Sequence, residues 1–179
     1  GDGADTITLA ASTTTNTTGD GADIVTVGAA LGTGGSINAG DGTDTLVISG
    51  NLAQATPFTT AGIAGMTNFE NMKIMGNTGG NTYNMASASN PAGSNGGLAL
   101  GANTSLVITN LPTAAAAAGI VIDGVQTTAL TVGIAGASGA LQTDTLALTL
   151  DHVTASTAVT VAAFTSAGTE NLTIVSNGA

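Results

Sequence analysis

Six of the nine aspartates fall within the first 44 residues, in three copies of one phrase: Gly1-Asp2-Gly3-Ala4-Asp5, Gly19-Asp20-Gly21-Ala22-Asp23 and Gly40-Asp41-Gly42-Thr43-Asp44. These residue types suit one kind of chemistry. Glycine lets the backbone turn sharply and lets carbonyl oxygens crowd together, and aspartate at fixed offsets adds hard, anionic oxygens. Calcium takes about six to eight such oxygens at once. The candidate ligands are Gly1, Asp2, Gly3 and Asp5 in the first turn, Gly19, Asp20, Gly21 and Asp23 in the second, and Gly40, Asp41, Gly42 and Asp44 in the third. A plain glycine-rich turn is the competing reading, and three copies in phase with the strands beyond them favour the cation.

Each turn runs into a segment with the pattern of a strand. The second Asp of every copy is succeeded, two and four places on, by apolar residues: Ile7 and Leu9, Val25 and Val27, Leu46 and Ile48. Thr6, Thr8 and Thr26 take outward places, so half-buried strands are predicted at 6–9, 24–27 and 45–49. The first two phrases begin 18 residues apart and the third comes after 21. Coils of 18 residues would stack one acidic turn on the next, and the segment 28–39, with Gly32, Gly34 and Gly35, is placed to absorb the excess. At least two ions are predicted, one between the turns at 1–5 and 19–23, another between those at 19–23 and 40–44.

The grammar continues without most of the glycines. Phe69-Glu70-Asn71-Met72-Lys73-Ile74 again sets an acid before apolar residues at plus two and plus four. Thr43-Asp44-Thr45-Leu46 recurs as Thr143-Asp144-Thr145-Leu146, and Glu70-Asn71 as Glu170-Asn171, both shifted by 100 residues. Asp144 is therefore a further candidate metal ligand, with a strand-start carboxylate bonded to backbone amides as the alternative; Glu70 and Glu170 read as structural. Two related β blocks are expected, 1–76 and 105–179, joined by a Gly/Asn/Ser-rich loop or insertion over 77–104. Strands are predicted in the second block at 105–109, 120–122, 127–134, 145–150, 157–163 and 172–175. A helical turn is expected over Thr113 to Ala118, after Pro112, with Thr as its potential cap. The fold class is all-β, in parallel β-roll or β-solenoid-like coils, with a β-sandwich as the alternative.

Composition narrows the function. With 27 Gly, one Tyr, three Phe and no Trp, the core is expected to be thin and made of stacked Ile, Val and Leu. Eleven acids face a single base, Lys73, for a net charge of −10. Nucleic acid and anionic membranes would be repelled, and cations are the natural partner. No Cys is present, and no apolar run approaches the roughly 20 residues of a spanning helix. His152 is the only histidine, which excludes a zinc site of several imidazoles, and neither a Gly-x-Ser-x-Gly elbow nor a phosphate-binding loop occurs. A non-enzyme is expected. Met66, Met72, Met75 and Met85 are expected to fill core, and a chain that opens in mid-phrase is expected to belong to something longer.

The acidic turns resemble the calcium-binding nonapeptide repeat of RTX proteins, G-x-G-x-D followed by x-U-x with U a large apolar residue. The family's leading glycine is replaced by Thr18 and Ala39 before the second and third copies. The chain as a whole resembles the lattice-forming region of RTX-type bacterial S-layer proteins. That likeness rests on the turns, on Asp44-Thr45-Leu46-Val47, and on Phe69 to Ile74 and Thr169-Glu170-Asn171-Leu172-Thr173-Ile174, within a Thr, Ala and Gly background. It implies a secreted, Ca2+-bound subunit on the bacterial cell surface that associates laterally with copies of itself and is anchored through a partner outside this fragment. Secreted RTX adhesins, or the non-catalytic regions of secreted RTX enzymes, share the same vocabulary.

Overall fold

Alternating Thr with Val, Ile and Leu after each acidic corner gives short strands with one apolar face, and the glycines beyond them let the chain return one rung higher. The computed structural model describes residues 1–29, 31–50, 65–87, 97–137, 143–151 and 158–177, and these form a parallel β-solenoid. The strands, in order, are β1 (Thr6–Leu9), β2 (Thr15–Thr17), β3 (Asp20–Gly21), β4 (Ile24–Val27), β5 (Ser36–Asn38), β6 (Asp41–Gly42), β7 (Thr45–Ser49), β8 (Met66–Thr67) and β9 (Asn71–Met75). They continue with β10 (Asn81–Asn84), β11 (Leu98–Leu100), β12 (Asn103–Leu111), helix α1 (Thr113–Ala118), β13 (Ile120–Ile122), β14 (Gln126–Ile134), β15 (Thr145–Asp151), β16 (Phe164–Ala167) and β17 (Asn171–Asn177).

The principal sheet has the order β1-β4-β7-β9-β11-β13-β15-β17. Return strands form two further sheets, β2-β5-β8 and β10-β12-β14-β16, and β3 pairs with β6 at the acidic corner. Among the described residues every pairing between these strands is parallel, which rules for the solenoid over the sandwich. The register lines up one apolar column through the whole principal sheet: Ile7, Val25, Leu46, Met72, Leu98, Ile120, Leu148 and Ile174. A second column runs beside it from Leu9 through Val27, Ile48, Ile74, Leu100 and Ile122 to Leu150. Leu106, Ile108, Leu130 and Val132 join the same core from the return side. Met66, Met72 and Met85 are buried in it, and Tyr83, also buried, donates its hydroxyl to the Gly50 carbonyl oxygen at 3.1 Å.

Because each rung is only a few residues wide, one truncated side chain interrupts a column that neighbouring rungs cannot refill. Ile74→Ala is expected to destabilise the fold by about 2–5 kcal/mol, measured as a lower urea midpoint; a midpoint equal to the parent's would mean that the column does not carry the fold.

The longer second coil is accommodated where glycines were expected to absorb it. A turn at Thr33 and Gly34 is closed by Gly35 N–H to Gly32 O at 2.9 Å, and Gly32 N–H bonds back to Ser12 O at 2.8 Å. Other expectations change. The strand expected at 157–163 is not formed over its described part; Val161 makes only an isolated bridge to Gln126, and β16 starts at Phe164 in register with Leu130. Val159 and Val161 pack on the core without joining a ladder. The helical turn is present, but its cap is Pro112 with no side-chain hydrogen bond, so Thr113 does not cap it. The segment 77–104, expected as a loop or insertion, supplies β10, β11 and the start of β12. Pro57, Asn90-Pro91 and His152 lie outside the described residues.

Charge is segregated. Asp2, Asp5, Asp20, Asp23, Asp41, Asp44, Glu70, Asp144 and Glu170 sit in or beside the corner that feeds the principal sheet, and Lys73, Asp123 and Asp151 lie within or just after its strands. The return strands β2, β5, β8, β10, β12, β14 and β16 carry no charged residue at all.

Candidate metal site

The three acidic turns stack in register. Asp20 lies beside Asp41 and Gly21 beside Gly42, and Gly3 N–H donates to Asp20 O at 2.6 Å. The approach is closer than any side chain would permit: a Cβ added to Gly19 would lie 2.1 Å from Gly1 O, and one on Gly40 only 1.8 Å from Gly19 O. Gly21 and Gly42, in the second glycine row, are equally tight against Gly3 and Gly21. The glycines of the phrase are thus explained by coil-on-coil contact as well as by turning.

Stacking sorts the aspartates into two rows. Asp2, Asp20 and Asp41 form an outer row, and all three are exposed. The inner row holds Asp5, half-buried, and Asp23 and Asp44, which are 1% and 0% exposed. A ladder links the inner row through its backbone: Asp5 N–H donates to Asp23 Oδ1 at 2.8 Å, Asp23 N–H to Asp44 Oδ1 at 2.7 Å, and Asp44 N–H to Glu70 Oε2 at 2.8 Å. Each acid therefore tethers the coil before it. Only one oxygen of each buried aspartate is used in this way. Oδ2 of Asp23 and Oδ2 of Asp44 are buried and have no hydrogen-bond partner among the described residues.

The two inner carboxylates differ electrostatically. The Thr18 hydroxyl first, and the Asp5 amide second, hold Asp23 below its ordinary value against the opposing effect of burial. The Thr18 hydroxyl proton itself points to Ala39 O at 2.6 Å, so Thr18 acts on Asp23 as a nearby dipole, and Asp23 Oδ2 has no hydrogen-bond partner among the described residues. Desolvation pushes Asp44 above its ordinary value; the Asp23 amide works against this, and the nearby charges of Glu70 and Asp23 reinforce it. Thr18 and Ala39, the residues that replace the leading glycines of the RTX pattern, are thus bonded to each other, and the Ala39 carbonyl has a donor already.

Asp144 precedes a strand of the same sheet but lies several rungs from the three turns. Four strand steps in the principal sheet separate β7 from β15, roughly 19 Å at about 4.8 Å per step. Yet it repeats the local arrangement: Asp144 N–H donates to Glu170 Oε2 at 2.9 Å, Asp144 is 5% exposed, and its Oδ2 has no partner among the described residues. Lys73 is engaged elsewhere, with Asp123 Oδ2 at 2.5 Å.

Sequence reasoning missed a row of amides where the chain enters the return strands. Asn77 N–H donates to Asn103 Oδ1 at 3.0 Å, the neutral counterpart of the Asp ladder. Asn103 Nδ2 donates to Ile74 O and Gly101 O, and Gln126 Nε2 to Gly101 O and Gly124 O. The signal was present: Asn77 and Asn103 are 26 residues apart, as are Asp44 and Glu70.

Chemically, the acidic corner offers only hard oxygens. Among the described residues no three or more His, Cys, Asp or Glu side chains converge as a metal cluster, so a cation here would draw on one or two carboxylates with backbone carbonyls and water. Calcium accepts mixed oxygen sets of this kind, and Oδ2 of Asp23 and of Asp44 has no hydrogen-bond partner among the described residues. No protein-family model, curated protein or solved structure matches the chain.

Proposed function

We propose that this chain is a calcium-stabilised structural segment, non-catalytic, of an RTX-type bacterial surface-layer protein that assembles with copies of itself outside the cell. The observation that carries the reading is the pair of buried Oδ2 atoms on Asp23 and Asp44 that no donor meets among the described residues. Burying a polar group without a partner costs roughly 1–3 kcal/mol in proteins, and a charged one more. Two like charges about 4 Å apart at an effective dielectric of about 20 add about 4 kcal/mol of repulsion. A bound divalent cation reverses both effects. Asp23 and Asp44 would hold it, with Asp5 and the turn carbonyls supplying further oxygens.

The charge segregation supports the self-associating part. Two copies meeting through their uncharged return strands keep most of their acids further apart than contact through the acidic corners would, and repulsion between exposed charges fades beyond about 8–10 Å at physiological salt. Among the described residues no helix is long and apolar enough to cross a membrane.

Chelation is the first test. At free calcium about ten times the dissociation constant, each of two independent sites adds about 1.4 kcal/mol to folding, so EGTA is expected to lower the melting temperature by roughly 6–11 °C for a domain of this size. An unchanged melting temperature and circular dichroism spectrum would remove the calcium reading. Electron microscopy of the full protein with calcium tests assembly: an ordered two-dimensional lattice is expected, and persistent monomers would defeat that half of the proposal.

A further inference from the structure

The second block contains a corner that repeats the first block's deepest carboxylate without its glycine turn. Asp44 and Asp144 each donate a backbone N–H to a glutamate 26 residues later, Glu70 Oε2 at 2.8 Å and Glu170 Oε2 at 2.9 Å. The carbonyl of each accepts two amides from the next rung: Glu70 and Asn71 at 3.2 and 2.9 Å, Glu170 and Asn171 at 3.2 and 3.0 Å. Thr45 pairs with Asn71 and Thr145 with Asn171. Both aspartates are more than nine-tenths buried, and both leave Oδ2 without a partner among the described residues. One such oxygen is an oddity; the same one twice, in the same frame of hydrogen bonds, is a built feature.

The amide row shows what a neutral solution looks like in this fold. Asn103 is also buried, and its Nδ2 bonds two carbonyl oxygens, Ile74 O at 3.2 Å and Gly101 O at 2.9 Å. Gln126 Nε2 does the same with Gly101 O and Gly124 O at 2.6 and 2.9 Å. A carboxylate has no N–H to offer, so Asp144 Oδ2 depends on a positive charge reaching it. Among the described residues the only basic side chain is Lys73, and it is paired with Asp123. A cation from solution would supply that charge.

We propose that Asp144 and Glu170 form a second, separate divalent-cation site of the calcium class, independent of any Gly-Asp-Gly turn. It extends to the second block, and rests on, the reading that buried inner-row carboxylates of this chain take calcium. Asp144 supplies the buried oxygen and Glu170, exposed at the opening, a solvent-facing one, with water and backbone carbonyls filling the six to eight places calcium requires. The site fastens β15 to β17, as the first block's cations fasten its own rungs.

Calorimetric titration of the full chain with calcium tests this. Asp144→Asn is expected to remove one bound equivalent and leave the first-block equivalents unchanged, while Asp23→Asn with Asp44→Asn is expected to leave the Asp144 equivalent in place. Glu170→Gln keeps an oxygen to accept the Asp144 amide, so it retains the fold; it is expected to weaken calcium at this corner about tenfold, read as a shift in the calcium midpoint of thermal protection. Stoichiometry unchanged in Asp144→Asn, or affinity unchanged in Glu170→Gln, overturns the second site and leaves the first-block reading standing. A parent chain that binds no calcium overturns both.

Discussion

Gly40→Ala is expected to lower the melting temperature by at least about 6–12 °C, corresponding to about 3 kcal/mol or more. Two effects add. Gly40 has φ +89°, a conformation that costs other residues roughly 1–2 kcal/mol. Its missing Cβ would also stand 1.8 Å from Gly19 O, and because the obstacle is backbone, it can move away only if the second and third coils separate. Separation stretches the Asp23 N–H to Asp44 Oδ1 bond at the same corner, so the variant should lose its response to calcium along with its stability. Gly136→Ala is the control: φ is +77° there, but nothing lies within 4 Å of the added carbon, so only the conformational part applies. Melting of Gly40→Ala within about 2 °C of the parent would contradict the tight stack.

Asp44→Asn is expected to invert the calcium dependence. The amide keeps an oxygen for the Asp23 N–H and deletes a charge that burial, Glu70 and Asp23 all disfavour. In calcium-free buffer at neutral pH the variant should therefore be more stable than the parent, by on the order of 1 kcal/mol. In millimolar calcium the order reverses, because the parent gains a ligand and the variant does not. Thermal melts with and without EGTA read the crossing; a variant destabilised equally in both buffers would mean that Asp44 is only a hydrogen-bond acceptor.

The pH dependence of the calcium-free parent comes from the same group. Asp44 binds its proton more tightly folded than unfolded, so its contribution to stability is fully present below the ordinary 3.8 and is lost as pH rises through its raised folded value. Asp23 has the opposite sign: its contribution is present above 3.8 and is lost as pH falls below that, through its lowered folded value. Mild acidification from neutrality should accordingly raise the melting temperature until pH approaches 3.8, and lower it below. Saturating calcium should remove the rise, since protonating Asp44 then displaces the ion.

Strands that follow an acidic corner were legible in the sequence to the residue, since 6–9, 24–27 and 45–49 are strands in the structure, and so was the short apolar run 120–122. Elsewhere alternation misled. Val159 and Val161 have the spacing of a strand and pack against the core, but Gln126 takes the local backbone contacts, with Ala162 N–H to Gln126 O at 3.0 Å, before the ladder resumes at Phe164. Asn-rich 81–84 was hidden for the opposite reason, since polar residues that look like a loop here flank Tyr83, which points its whole side chain into the core. The acidic phrase was visible as a phrase, but not the division of its aspartates into an outer and a buried row. That division arises from rung-to-rung stacking, which puts the residue just before each strand under the next coil. The amide row escaped notice because hydrophobic periodicity does not register polar residues that point inward.

Acid-ladder contacts between adjacent rungs join residues 18, 21 and 26 positions apart. Parallel sheets usually demand distant segments and fold slowly, whereas a stack of this kind closes only short loops, each against a template already in place. Loop closure from 18 to 26 residues adds merely about 0.3 kcal/mol of entropic penalty, so successive rungs are nearly equivalent kinetically. The first pair has the shortest loop and the densest carboxylates. Among these three acid-ladder steps, closing the first pair therefore carries the smallest entropic cost, and each later rung closes against a template already in place.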